Sequence, residues 1–274
     1  MVHTRGVPMA GGEETPEHPA RLAFDVGAAT DRGLVRELNE DSYLAREPVF
    51  AVADGMGGHE AGEVASGLCI EALADEEMLA PGLPATMLDV VLAVRRADWA
   101  IREATGSRAG TTLAAAFSAK DDDGAPAWIV ANVGDSRVYA ADHDEFDQIT
   151  IDHSEVWELM ARGEITREEA RVHPRRNVVT RALGTGFDAD PDLWLLPAFP
   201  GQRLLVCSDG LTTELEDFEI AAILRGNPTS QGAADALVAA ALEAGGRDNV
   251  TVVVVGVAGA GEEAEAGPLP VSEG

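Results

Sequence analysis

Lysine is almost missing: Lys120 is the only one among 20 basic residues in a chain of 274. No P-loop, Schiff-base or kinase lysine can therefore be placed in a fitting motif. Positive charge as a whole is scarce, with 20 Lys and Arg against 48 Asp and Glu and a formal charge of −28. Such a surface repels phosphate backbones and anionic lipid, so neither a nucleic-acid nor a membrane partner is expected. There are only two cysteines. Cys69 (in GLCIEAL) and Cys207 (in RLLVCSDG) lie in apolar runs, which reads as buried free thiols in a reducing, cytoplasmic setting. Long apolar runs are lacking too. VTVVVVGVAGAG, from Val250, is about half the ~20 residues of a spanning helix, and its valines suit a buried strand. The opening MVHTRGVPMAGGEETPEHPA has no apolar block of the kind a secretory signal requires. Aromatics make up only 5%, but 46% hydrophobic residues are ample for a core.

Residues 1–20 and the acidic, Pro-containing tail 259–274 are expected to be disordered, leaving 21–258 as one domain. Residues 49–53, 111–117, 127–133, 136–140, 203–208 and 250–257 read as short strands between turn residues. In Pro84–Thr105, Met87, Val90, Val94, Ala97 and Ile101 repeat at helical spacing. Ala234, Leu237, Val238 and Ala241 do the same between a Thr229 N-cap and a Gly245 stop. A third helix is expected over Glu60–Leu79, with Val64, Leu68 and Ala72 in register. Strands come in groups interrupted by helices, which predicts an α+β fold with antiparallel sheets rather than βαβ winding. Thr166-Arg-Glu-Glu169 is a capping box that opens a small helix ended by His173-Pro174. With Ser154–Arg162 it forms a helical excursion of the kind that borders a site.

The recurring chemical feature is an apolar strand that runs into Asp beside glycine or another small residue. FAVADG ends on Asp54-Gly55, LLVCSDG on Asp209-Gly210, and IVANVGDS carries Asp135; GGRDNVTVVVV sets Asp248 just ahead of a strand. One such Asp is an ordinary turn residue. Four of them suggest oxygen ligands for a hard divalent cation, with glycine allowing close backbone approach. His59-Glu60 looks like the start of HExxH, but Glu63 stands where the second His belongs, so a zinc reading fails. Asp121-Asp-Asp-Gly124 lacks the spacing of a calcium loop and reads as a hairpin turn.

RELNEDS (36–42), ADGMGGHEAGEVAS (53–66), GTTLAA (110–115), GDSRVY (134–139), CSDGLT (207–212) and GGRDNVT (245–251) together resemble the metal-dependent protein phosphatases, the PPM or 2C-type serine/threonine family. ITIDHS and GEITREEARVHPRRNVVTRALG resemble its bacterial branch, including a flap at about 152–182. The resemblance implies a four-layer αββα sandwich of two antiparallel sheets flanked by helices, with metals in a cleft at one end. It implies hydrolysis of phosphoserine and phosphothreonine monoesters by direct attack of a metal-bridging hydroxide. Carried over by residue, Asp54 would bridge two Mn²⁺ or Mg²⁺ ions and the Gly55 carbonyl would bind one of them. Asp209 and Asp248 would complete the first ion, and Glu40 would serve the second. Asp41 and Asn249 would support this shell, Asp135 with Asp209 would hold a weaker third ion, and Arg36 would clamp the phosphate. The implied partners are phosphorylated proteins, including a cognate Ser/Thr kinase, for a monomeric cytoplasmic signalling enzyme.

One position departs from the eukaryotic members, which carry His after Asp-Gly where this chain has Met56. His59 lies three residues on and is a weaker candidate acid than water in the site. Arg137 reads as a structural salt-bridge partner more readily than as a second phosphate contact. A pseudophosphatase, keeping the fold as a binding module, would have lost a bridging carboxylate; none is lost here. Sporulation-type relatives lack the Arg-x-x-Asn-Glu-Asp motif and the flap, both of which this chain retains.

Overall fold

The computed structural model describes residues 2–4, 22–57, 61–75, 79–80, 82–143, 145–186 and 190–259. In chain order the strands and helices begin with β1 (Val2–Thr4), β2 (Leu22–Asp31), β3 (Asp41–Arg46), β4 (Val49–Gly57), α1 (Ala61–Leu73) and α2 (Met87–Thr105). There follow β5 (Ala109–Thr111), β6 (Leu113–Lys120), β7 (Pro126–Val133), β8 (Arg137–Ala141), β9 (Phe146–Gln148), α3 (Glu155–Ala161) and α4 (Arg167–Arg171). The last are β10 (Asp192–Pro197), β11 (Arg203–Cys207), α5 (Asp209–Glu214), α6 (Asp217–Gly226), α7 (Ser230–Ala244) and β12 (Val250–Gly259).

Period-two alternation decides the layers, because neighbouring side chains on a strand point to opposite faces. In β12, Val253, Val255 and Val257 enter a core between two sheets, whereas Val250, Val252 and Val254 pack outward against α6 and α7. β11 divides likewise, Leu204 and Val206 inward and Leu205 and Cys207 outward. In β4, Phe50 and Val52 face the other sheet while Val49, Ala51 and Ala53 meet α1 and α2. Strands buried on both faces explain the near-continuous apolar runs in the sequence. Among the described residues one sheet has the order β1-β10-β7-β6-β4-β3, with β5 on β4, and the other β2-β12-β11-β8-β9. All pairings are antiparallel except that of β1 with β10. This is the expected four-layer αββα sandwich. The few aromatics are concentrated where they fill most: Phe24, Phe50 and Trp128 cluster between the sheets, ring centroids 5.1–5.9 Å apart.

α2 carries its expected stripe, with Val90, Val94, Ala97 and Ile101 buried, and opens on a Thr86–Asp89 capping box. α7 begins at its Thr229 cap, and the Thr166–Glu169 box opens α4. Asp121–Gly124 turns the β6–β7 hairpin, Asp121 Oδ1 accepting from the Asp123 and Ala125 amides at 3.0 and 2.8 Å. Three details differ from expectation. α1 stops at Leu73, and Val64 is 46% exposed, because the small residues Gly62, Ala65, Ser66 and Cys69 form the packed stripe. Val2–Thr4, inside the segment expected to be disordered, lies as a strand on the otherwise open edge of β10. β12 extends to Gly259, one residue into the expected tail, because Gly259 pairs with Leu22. The rest of 1–20, and 260–274, lie outside the described residues.

Candidate active site

Strand ends assemble the site. Asp54 and Gly55 lie near the C-terminal end of β4, Asp41 opens β3 opposite Asp54, and Asp209 follows β11 through Ser208. Asp248 precedes β12 and Asp135 precedes β8. Arg36, Glu40, Asp54, Gly55, Asp135, Asp209 and Asp248, all singled out from sequence, line one cavity of about 220 Å³. Asp41 and Asn249, expected to support this set, stand behind it. Asp41 Oδ2 accepts from Ser208 Oγ at 2.8 Å, tying the β3 edge of one sheet to the β11 end of the other. Asn249 Oδ1 accepts from the Glu40 amide at 2.8 Å, and its Nδ2 donates to the Arg32 and Leu38 carbonyls at 2.9 and 2.8 Å. One side chain thus fixes the 32–40 loop against the start of β12.

Two glycines allow the crowding. A Cβ on Gly55 would sit 2.1 Å from the Gly62 carbonyl oxygen, and one on Gly210 would sit 1.9 Å from that of Asn249. Any larger residue would push the strand ends, and their carboxylates, apart.

The carboxylates disturb one another. Burial first, then repulsion from Asp41, Asp209, Asp135 and Asp248, raises Asp54 well above the ordinary carboxylate range. Burial and Asp209 raise Asp135 in the same way. Asp41 is pushed up to about 7 and Asp209 to about 6, burial being the larger cause in each. Burial also raises Glu40, with Arg36 opposing. Arg36 Nη2 donates to Asp248 Oδ2 at 2.7 Å, which raises the arginine further, and half of its side chain remains exposed.

The donor set fits divalent cations. Glu40 Oε1 and Asp41 Oδ1 are buried without a hydrogen-bond partner of normal geometry, acceptors left over in an already acidic cluster. Among the described residues no three Asp, Glu, His or Cys side chains close around a single point. The carboxylates instead line the walls of an open cleft, which suits hard ions that keep several waters.

Similarity to known proteins agrees with this reading. The sequence profile described as protein phosphatase 2C matches residues 35–243. The chain belongs to the protein phosphatase 2C family. It is 38% identical over 245 residues to the serine/threonine phosphatase stp of Listeria innocua, covering 82% of this chain and 93% of that one. It is 42% identical over 241 residues to the serine/threonine protein phosphatase PstP of Mycobacterium tuberculosis, covering 86% of this chain and 45% of that longer protein. Among solved structures, the PstP catalytic domain in complex with two manganese ions superposes with a TM-score of 0.76 at 39% identity, covering 87% of this chain and all of that one. The bacterial phosphatase of Mycobacterium smegmatis in complex with cacodylate gives 0.75 at 38%, covering 84% and 97%.

Within this 2C-type frame, several residues escaped the sequence reading. Thr112 lines the cleft; its Oγ1 accepts from the Asp54 amide at 3.1 Å and lies 2.7 Å from Ser136 Oγ, so it braces the β4 end. Asn177 and Val179 reach the cleft from the segment between β9 and β10. His153 Nδ1 accepts from the Gly134 amide at 3.0 Å and Nε2 faces Asp192 Oδ2 at 3.1 Å, so it steadies the turn before Asp135. Burial lowers its pKa, and the neutral ring with Nε2–H fits both contacts. Arg137 takes the structural role, its Nε and Nη2 donating to Asp152 at 2.9 and 2.6 Å. Met56 lines the cleft, while His59 lies outside the described residues.

Proposed function

We propose that this cleft hydrolyses phosphoserine and phosphothreonine monoesters of protein substrates with divalent ions bound among its strand-end carboxylates. The observation that carries the reading is the convergence of Glu40, Asp54, Asp135, Asp209 and Asp248 with Arg36 around one cavity of about 220 Å³. Asp54, the Gly55 carbonyl, Asp209 and Asp248 would hold the first Mn²⁺ or Mg²⁺, and Asp54 with Glu40 the second. Asp135 and Asp209 would hold a third, weaker ion. Bound there, such ions supply Lewis-acid activation of water and neutralise charge on the phosphoryl group.

The chain's own groups do the rest. Arg36 spends one of its five N–H donors on Asp248 and keeps others for phosphoryl oxygens. It is a cation at the mouth of a cleft in a chain of charge −28, where a dianionic ester would otherwise be repelled. Asp41 and Asn249 hold the ligand-bearing backbone in place through their bonds to Ser208 and to the Glu40 amide. Among the described residues, neither cysteine nor the cleft threonine is free to act as a nucleophile. Cys69 and Cys207 are fully buried, their thiols pushed up to about 12, and Thr112 Oγ1 is engaged by the Asp54 amide and Ser136. Water therefore attacks phosphorus directly, and no phosphoenzyme forms. Met56 has no proton to deliver, so solvent in the cleft protonates the leaving alkoxide. A Ser/Thr kinase must supply the phosphoester consumed, and action as a monomer is part of this proposal.

Hydrolysis of a phosphopeptide and of p-nitrophenyl phosphate, with Mn²⁺, Mg²⁺ or excess EDTA, tests this reading. Turnover should need a divalent ion, and acid quench should trap no phosphoprotein. Full activity after exhaustive chelation, or a stable phospho-Cys or phospho-Asp species, would refute it.

A further inference from the structure

A second cavity, about 690 Å³, lies beside the cleft and shares Asp135, Asn177 and Asp209 with it. That volume falls within the range of sites that enclose a ligand. An ester phosphate in the cleft belongs to a polypeptide, and this contiguous space is next to it.

The lining is of two kinds. Val156, Trp157 and Met160 of α3, with Val172 just after α4, are apolar; Val172 is 80% exposed. Five arginines line the same cavity, in a chain that has only 20 basic residues against 48 acidic ones. Four of these arginines are held by carboxylates. Arg137 pairs with Asp152 at 2.6 Å and Arg247 with Glu214 at 2.8 Å. Arg167 with Asp217 and Arg171 with Glu216 fasten α4 to the start of α6, so the cavity is framed from both sides. Arg176 differs. Its side chain is exposed, and among the described residues its hydrogen bond is the backbone one, its amide donating to the His173 carbonyl at 3.1 Å. It adjoins Asn177, which lines both cavities.

We propose that this cavity docks the peptide segment flanking the phosphorylated residue, with an apolar side chain on the apolar α3 residues and an acidic side chain on Arg176. The inference rests on the phosphatase reading and adds to it a substrate class, phosphopeptides with an acidic, apolar-containing flank. Charge complementarity selects that flank: a surface of net charge −28 disfavours acidic chains elsewhere, so an uncompensated arginine beside the cleft marks where one is accepted.

The test uses the full chain with Mn²⁺ and three phosphopeptides that differ only in a flanking Glu, Gln or Arg, alongside p-nitrophenyl phosphate. The Glu peptide should exceed the Gln peptide in kcat/KM by about 1.5-fold to fivefold, the range an exposed ion pair supports, mostly through KM. The Arg peptide should be poorest, and the preference should shrink at high salt. Arg176→Glu should invert the Glu-over-Arg order. Val172→Glu, at an exposed position where folding is not at issue, should weaken peptides with an apolar flank relative to the small ester. Turnover of all substrates with no dependence on the flank, or an Arg176→Glu protein with the wild-type order, overturns the docking site alone. No turnover of any substrate, the small ester included, overturns the phosphatase reading and this inference with it.

Discussion

Asp209→Asn should make the metal-stripped protein more stable while abolishing its activity. Asp209 lies at the wall shared by the two cavities, beside Asp54 and Asp248, and partial burial together with Asp248 pushes it up to about 6 from an ordinary 3.8. A carboxyl that binds its proton more tightly when folded contributes stability at low pH, and that contribution is lost as pH rises from about 4 to about 6. Above that window the ionised group costs the folded state about 3 kcal/mol, at 1.36 kcal/mol for each step in pKa. Asn is nearly isosteric and neutral, and removes the cost. In a domain of this size about 1–3 kcal/mol corresponds to a rise of about 3–10 °C in Tm. Thermal melts at pH 8 in EDTA should therefore place the variant above wild type, and the two should converge near pH 4. In excess Mn²⁺ the order should reverse, because ion binding stabilises the wild type and the variant has lost a ligand. A metal-stripped variant that melts below wild type at pH 8 would show that the cluster is not held together against its own repulsion.

Arg36→Lys should not rescue the loss seen in Arg36→Ala, since only a planar fork can hold Asp248 and a phosphoryl group together; KM for phosphopeptide should rise in both, and wild-type kinetics in Arg36→Ala would remove the clamp. Asp135→Ala should leave the two tighter Mn²⁺ ions bound but reduce phosphopeptide turnover sharply; an unchanged ion count by calorimetry with an unchanged kcat would rule out a third ion. Asn249→Ala breaks three hydrogen bonds of 2.8–2.9 Å at a side chain only 6% exposed, and should cost about 2–4 kcal/mol and weaken Mn²⁺ binding by freeing the 32–40 loop. A denaturation midpoint within error of wild type would contradict that.

Sequence by itself pointed to the α+β class and to the acidic residues at strand ends, while the four-layer order came with the family resemblance. Asp54, Asp209 and Asp248 are legible because each interrupts or borders a near-continuous apolar run next to a small residue, and such a run is local information. The helices over 87–105 and 230–244 are legible for the same reason, since their apolar stripes repeat within one element. Elements whose burial pattern is diluted were not: β2 and β3 mix half-buried and exposed positions, and α5 and α6 are short helices with few buried residues each. α1 was legible as a helix but not in its facing, because its packed stripe is made of small residues that carry little hydrophobic signal. Only the tertiary structure decided who meets whom. Arg36 lies 212 positions from the Asp248 it pairs with, Asp41 lies 167 from Ser208, and Glu40 lies 209 from Asn249. Such pairings depend on strand order and on two sheets meeting at one end, which no local pattern encodes. The same holds for Thr112 and Asn177, ordinary residues in sequence that become part of a cleft only where the β4 end and the helical excursion converge. The second cavity is decided at that level too, because α4 is fastened to α6 by charges that lie 45 and 50 residues apart.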